Sequence, residues 1–257
     1  MSLESRILTP DERDELQVTA LKRHRLEEQF ESLEQQHQVA ALGMWVFLAT
    51  EVMFFGALFC GLAAYRYAYP VGFERGSEKL NWVIGGINTV VLLVSSLFMA
   101  LAVHSAKHGR QRHVVLYLLL TAFLGLCFLG FKGYEYYNDY RENLIPGWRF
   151  DDREWVDAKY RPPGEPAPEE QKASLEPGQV QHVKLFLSFY WIMTALHGLH
   201  VTLGIGAVLV MLVLAKRGHF SPAYYSPVDV TALYWHFVDT VWIFLLPMLY
   251  LLGSHTF

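Results

Sequence analysis

The stretch KLFLSFYWIMTALHGLHVTLGIGAVLVMLVL, running from Lys184 to Leu214, carries two histidines and no carboxylate inside an apolar run. A hydrocarbon core of about 30 Å is crossed by about 20 apolar residues of helix, so this run is long enough to span a bilayer. Four more runs qualify, roughly Val39 to Tyr65, Trp82 to His104, Val114 to Tyr137 and Thr231 to Gly253. Backbone polar groups in lipid have to be satisfied within each span, which selects continuous helices, and the alternating segments of a barrel are not seen. The chain therefore reads as an all-α polytopic membrane protein, a five-transmembrane-helix bundle with an N-terminal cytoplasmic helix and a long outer loop.

Composition agrees with this, at 53% hydrophobic residues against 18% charged ones. The net charge of -4 and the lack of a basic run interleaved with aromatics exclude a nucleic-acid partner. Cys60 and Cys127 fall within spans, where they read as small packing residues. Residues 1–38 are strongly polar and contain no short apolar core before a cleavage site, so the first span is expected to direct insertion itself.

The chain divides into a polar N-terminal helical segment, 1–38, and a membrane domain, 39–257, which includes an extramembrane loop over 138–183. Thr9-Pro10-Asp11-Glu12 forms a capping box that predicts a helix from Pro10 to Gln38. Its apolar stripe of Leu16, Leu21, Leu26, Phe30 and Leu33 is thin, which suits either a solvated helix leaning on a partner or a solubilising leader. In the loop, Arg161-Pro162-Pro163-Gly164-Glu165-Pro166-Ala167-Pro168 reads as a linker. Trp148, Phe150, Trp155 and Tyr160 predict that the first half is ordered against the bundle or a neighbouring subunit.

Lys22, Arg23 and Arg25, then Lys107, Arg110 and Arg112, then Lys216 and Arg217 all fall on one side of the membrane. Arg66, Arg75, Lys79 and several loop arginines face the other. The excess places the N-terminus inside. Counted at about 1.5 Å per residue from the inner surface, Glu51 lies about 16 Å deep, His200 about 20 Å, His197 about 25 Å, Asp239 about 13 Å and His236 about 8 Å. Three helices thus bring ionisable groups to compatible depths. The i,i+3 spacing of His197 with His200 and of His236 with Asp239 predicts that each pair points into the bundle together.

An isolated ionised carboxylate at mid-membrane is costly, so Glu51 is expected to be neutral or bonded to a histidine. Two readings of the buried polar cluster Glu51, His197, His200, His236 and Asp239 stay open: a neutral network that fixes helix register, or a proton-buffering or proton-delivering site. A metal site fits the spacing poorly. Di-iron bundles use Glu-x-x-His on two helices plus two further carboxylates, whereas this chain offers His-x-x-His, His-x-x-Asp and one distant Glu. No Gly-rich phosphate loop, Cys-x-x-Cys pair or nucleophile triad emerges, so no catalytic and no metal-binding residue is assigned.

The chain resembles subunit III of the haem-copper terminal oxidases, the cytochrome c oxidase group in its five-helix form. The residues that carry the resemblance are Thr50-Glu51-Val52-Met53-Phe54-Phe55, Gly133-Tyr134-Glu135-Tyr136-Tyr137, His197-Gly198-Leu199-His200-Val201 and Tyr234-Trp235-His236-Phe237-Val238-Asp239-Thr240-Val241-Trp242. They occur in family order over about Gly43 to Gly253. The resemblance implies a non-catalytic accessory subunit of a respiratory oxygen reductase. Such a subunit packs directly on subunit I alongside subunit II and other members, and it supports proton uptake and durable turnover. Haem and copper are then expected in partner subunits and none in this chain, with bound phospholipid among the implied ligands. Glu51 matches the family's mid-membrane carboxylate, with His197, His200 and His236 as its polar neighbours. The implied setting is a bacterial plasma (inner) membrane with a cytoplasmic N-terminus.

Many members have seven spans and enclose lipid between the first two helices and the remaining five. This sequence offers five, and Cys60 and Ala64 stand where seven-span forms carry an aromatic and a histidine. Lys107, Arg110, Arg112, Lys216, Arg217 and His219 could hold a lipid phosphate at the inner surface, or act only as topology determinants. The alternatives kept beside this reading are subunit III of a ubiquinol oxidase, a similar accessory protein of nitric oxide reductase and, remotely, an intramembrane metalloenzyme. A transporter is disfavoured by the absence of an inverted repeat or broken helix pair.

Overall fold

The computed structural model describes residues 29–147, 150, 155 and 175–251. The predicted helix over Pro10 to Gln38 lies outside the described residues for most of its length. Its last residues belong to the first membrane helix instead: α1 (Leu33–Ala68) starts afresh where Ser32 Oγ accepts from the Gln35 amide at 3.1 Å. There follow α2 (Pro70–Glu78), α3 (Trp82–Lys107), α4 (Gln111–Arg141), α5 (Pro177–Lys216) and α6 (Ser226–Tyr250). Five of these, α1 and α3 to α6, are long and apolar enough to cross a membrane, as the sequence predicted.

The starts of the helices are written locally. Asn81 Oδ1 accepts from the Val83 and Ile84 amides to open α3. At α5, Pro177 follows a reciprocal cap between Glu176 and Gln179. α3 packs on α4, α4 on α5, and α6 lies across α3 and α5, while α1 leans mainly on α6. Close approach depends on glycine. A Cβ at Gly125 of α4 would come within 2.8 Å of the Trp235 ring, and one at Gly204 of α5 within 3.0 Å of it. The indole of Trp235 is therefore held between two helices, and its Nε1 donates to Ser95 Oγ of a third at 3.1 Å.

α1 is attached by a narrow seam. Its buried residues Leu48, Phe55 and Leu62 recur every seven positions, one line down the helix, while Trp45 and Met53 are 60% and 76% exposed. The short α2 escaped the sequence reading because its Gly-rich, charged sequence reads as connection. It lies on α5 with Phe73 and Ser77 fully buried, and Tyr69, just before it, stacks on His182 at 3.8 Å.

The loop expectation holds where the chain is described. Trp155 is buried and stacked against Phe150, its carbonyl accepts from the Leu175 amide, and Lys79 and Lys184 sit over the Trp155 and Phe150 rings. Trp148, Tyr160 and the Pro-rich tail lie outside the described residues.

Candidate functional site

The five polar residues expected to share one cluster are distributed over three separate interfaces. On a helix, residues three apart differ by about 60° around the axis. α5 lies between α1 and α4, so that angle sends His200 toward α1 and His197 toward α4 and α6.

The first site is a pair. His200 Nε2 lies 3.1 Å from Glu51 Oε2, with only 13% and 19% of the two side chains exposed, so this contact joins α1 to α5. The other ring nitrogen, Nδ1, donates to the Leu196 carbonyl at 2.8 Å, Tyr234 donates to the His200 carbonyl, and Phe55 meets the imidazole edge-on. With Nδ1 spent as a donor, the contact to Glu51 needs one further hydrogen, carried either by the carboxyl or by Nε2. In either form the pair holds one shared proton and is neutral overall.

The second site lies between α3 and α6, where Ser96 Oγ is 2.6 Å from His236 Nδ1. Asp239, one turn along α6, has Ser96 as its polar neighbour but no hydrogen-bond partner on either oxygen among the described residues. The third is His197 itself, 1% exposed, boxed by the rings of Phe128 and Trp242, with both nitrogens unpartnered among the described residues.

A fourth network, missed by the sequence reading, is the most heavily bonded of all. Lys132, Glu135 and Asp139 sit on one face of α4 and are buried to 5%, 3% and 6% exposure. Lys132 Nζ donates to Glu135 Oε2 at 3.0 Å, to the Tyr250 hydroxyl at 2.9 Å and to the Tyr190 hydroxyl at 3.4 Å. Tyr250 donates to Glu135 Oε1 at 2.7 Å, and the Tyr190 hydroxyl lies 3.1 Å from Glu135 Oε1 and 3.0 Å from Asp139 Oδ2. The rings of Tyr136, Tyr190, Trp242 and Tyr250 surround the ammonium. The signal was present in the sequence: Lys-x-x-Glu-x-x-x-Asp at helical spacing, with the lysine inside an apolar run. It was masked because Gly133 to Tyr137 was read as the end of a span.

At the opposite end of the bundle the basic residues do come together. The α3–α4 turn touches the α5–α6 turn, with Gly109 set against Pro222, and Gln111 donates to the Ala215 carbonyl. Arg110, Arg112, Lys216, Arg217 and His219 are exposed there. Lys107 is directed otherwise, to Asp229 at the start of α6 at 3.6 Å and over the Tyr225 ring. At the loop end, Leu62, Ala63, Arg66, Tyr67, Pro70 and Met248 line an open apolar groove of about 520 Å³. Among the described residues, no three His, Cys, Asp or Glu side chains converge as a metal-ligand set would.

The family model for cytochrome c oxidase subunit III matches residues 31–141 and 182–254. The match covers the four interfaces above and leaves out most of the long loop. Among the relatives, the probable quinol oxidase subunit 3 of Staphylococcus haemolyticus is 28% identical over 84% of this chain and 90% of its own length. The cytochrome c oxidase subunit 3 of Synechocystis is 28% identical over 82% and 74%. The quinol oxidase subunit 3 of Bacillus spizizenii is 27% identical over 82% and 86%.

Proposed function

The chain belongs to the cytochrome c oxidase subunit III family, and from that premise we propose that it is a non-catalytic subunit of a membrane haem-copper oxygen reductase. It packs on subunit I, beside subunit II, and the haem and copper belong to those partners. It lies in a bacterial inner membrane with its N-terminus in the cytoplasm. The single observation that carries the reading is that the family match runs through all five membrane helices and breaks only across the loop.

Its contribution to the complex is rigidity and proton handling. Glu51 and His200 hold one proton between α1 and α5. The exposed apolar face of α1, with Trp45 and Met53, is a surface for a partner helix or lipid tails. Arg110, Arg112, Lys216 and Arg217, gathered by the two touching turns, are placed to hold an anionic head group.

A second reading, subunit III of a quinol oxidase, is favoured by the names of the Staphylococcus haemolyticus and Bacillus spizizenii relatives. Affinity purification of the tagged chain from mild-detergent extracts, followed by a reduced-minus-oxidised optical spectrum, tests both. Stoichiometric haem with large co-eluting subunits is expected, and oxidation of quinol or of cytochrome c by the eluate separates the two. A haem-free chain eluting alone, with iron bound in stoichiometric amount, would favour an intramembrane metalloenzyme instead.

A further inference from the structure

We propose that Lys132, Glu135, Tyr190 and Asp139 form a proton-binding site, in which one dissociable proton is shared between the Asp139 and Glu135 carboxyl groups through the Tyr190 hydroxyl. The argument is an inventory of hydrogens. The ammonium of Lys132 has three, and the structure gives each an acceptor: Glu135, Tyr250 and Tyr190. Tyr250 spends its hydroxyl hydrogen on Glu135 Oε1. Tyr190 has a single hydrogen and two carboxyl oxygens within reach, Glu135 Oε1 at 3.1 Å and Asp139 Oδ2 at 3.0 Å.

If both carboxyls were ionised, one of those two contacts would be oxygen against oxygen with no hydrogen between them, and the buried group would carry a net negative charge. One added proton removes both defects. With it on Asp139, the carboxyl donates to the Tyr190 oxygen, Tyr190 donates to Glu135, and Lys132 balances the remaining carboxylate. Every hydrogen then has an acceptor and the site is neutral, the condition for burial in an apolar medium.

The same geometry allows transfer. Asp139 Oδ2 releases its hydrogen to the Tyr190 oxygen while Tyr190 releases its own to Glu135 Oε1. One O–H bond breaks and one forms at the tyrosine, which is left as a hydroxyl pointing the other way, and the total charge is unchanged. The site also has neighbours on two sides. Glu142, exposed just past the end of α4, acts electrostatically on Asp139. On the far side, Trp242 is shared by Lys132, at 5.5 Å from the ring, and by His197, at 5.1 Å between ring centroids. His197 is buried there with both nitrogens unpartnered among the described residues. The groups facing the pair of acids are thus Lys132, Tyr136 and Glu142 from α4 and its end, Tyr190 from α5 and Tyr250 from α6.

The test is infrared spectroscopy of the full-length chain purified in detergent, in H2O and in D2O, and it does not depend on which complex the chain joins. A protonated-carboxyl C=O band that shifts in D2O is expected in the wild type. It should be lost in Asp139→Asn, kept in Glu51→Gln, and moved in frequency in Tyr190→Phe. Asp139→Asn should also melt with the wild type, because its amide N–H donates to Tyr190 as the protonated carboxyl does. Bands from Glu51 and Asp239 cancel in the difference between wild type and Asp139→Asn, so superimposable carboxyl spectra for wild type and folded Asp139→Asn, with no protonated-carboxyl band in that difference, would overturn the proposal.

Discussion

Lys132 sets the energetics of the loop-side half of the bundle, because its ammonium satisfies one carboxylate and two tyrosines brought in from three helices. Removing one partner of a buried pair strands the other at a cost of about 3–5 kcal/mol, whereas removing both can be nearly neutral. Lys132→Met should therefore lower the unfolding free energy by that amount, and adding Glu135→Gln to it should restore most of the loss. Thermal or denaturant unfolding in detergent measures both. Additive losses in the double variant would show that the two side chains do not act as a pair.

At Glu51 the neutral amide of Gln can still bond His200, so Glu51→Gln should assemble normally. Glu51→Lys should assemble poorly, since an unpaired ammonium beside His200 costs on the order of 3 kcal/mol at that depth. Yields of the assembled complex compare the two, and equal yields would contradict a buried contact. Residue identity was legible in the sequence for Glu51 and His200, because a lone carboxylate in an apolar run has to find a partner. It was not legible for His197 and Asp239, since a 60° difference around a helix is decided by which neighbour lies on which side.

α2 shows what helical packing adds to a connection. Gly72 and Gly76 are one turn apart and give α5 a flat surface: a Cβ at Gly72 would stand 2.5 Å from the His182 Cβ, and one at Gly76 would stand 2.4 Å from Phe186. Gly76→Leu should destabilise by about 1–3 kcal/mol through overpacking. Gly130→Ala is the matched control, because nothing lies within 4 Å of a Cβ there, and it should be neutral or slightly stabilising. Melting temperatures in one detergent separate them, and similar losses at both positions would mean that α2 does not dock as described. The five long helices were readable from length and hydropathy alone. α2 was not, because its apolar content is low and its burial comes from fitting α5.

Across the whole molecule, the described loop residues are tied down, Phe150 and Trp155 by their ring stack and Leu175 and Glu176 by a backbone hydrogen bond and a helix cap. A deletion of 161–173 spares those anchors. It should leave the melting temperature of the chain unchanged while reducing co-purification of a partner that contacts the loop. Unaltered partners would remove that role from the Pro-rich tail. The family model passes over most of this segment. Partner surfaces are harder to read than spans, since exposed apolar residues on α1 look the same whether they meet lipid or protein.

The central claim is that the chain supports an oxygen reductase without carrying its chemistry. Oxygen consumption over time, measured on the purified complex with and without this subunit at matched haem content, tests it most directly. The account predicts equal initial rates, followed by earlier loss of activity in the complex that lacks the subunit. No initial activity in that complex, with its haem spectrum intact, would contradict the account by placing an essential group in this chain.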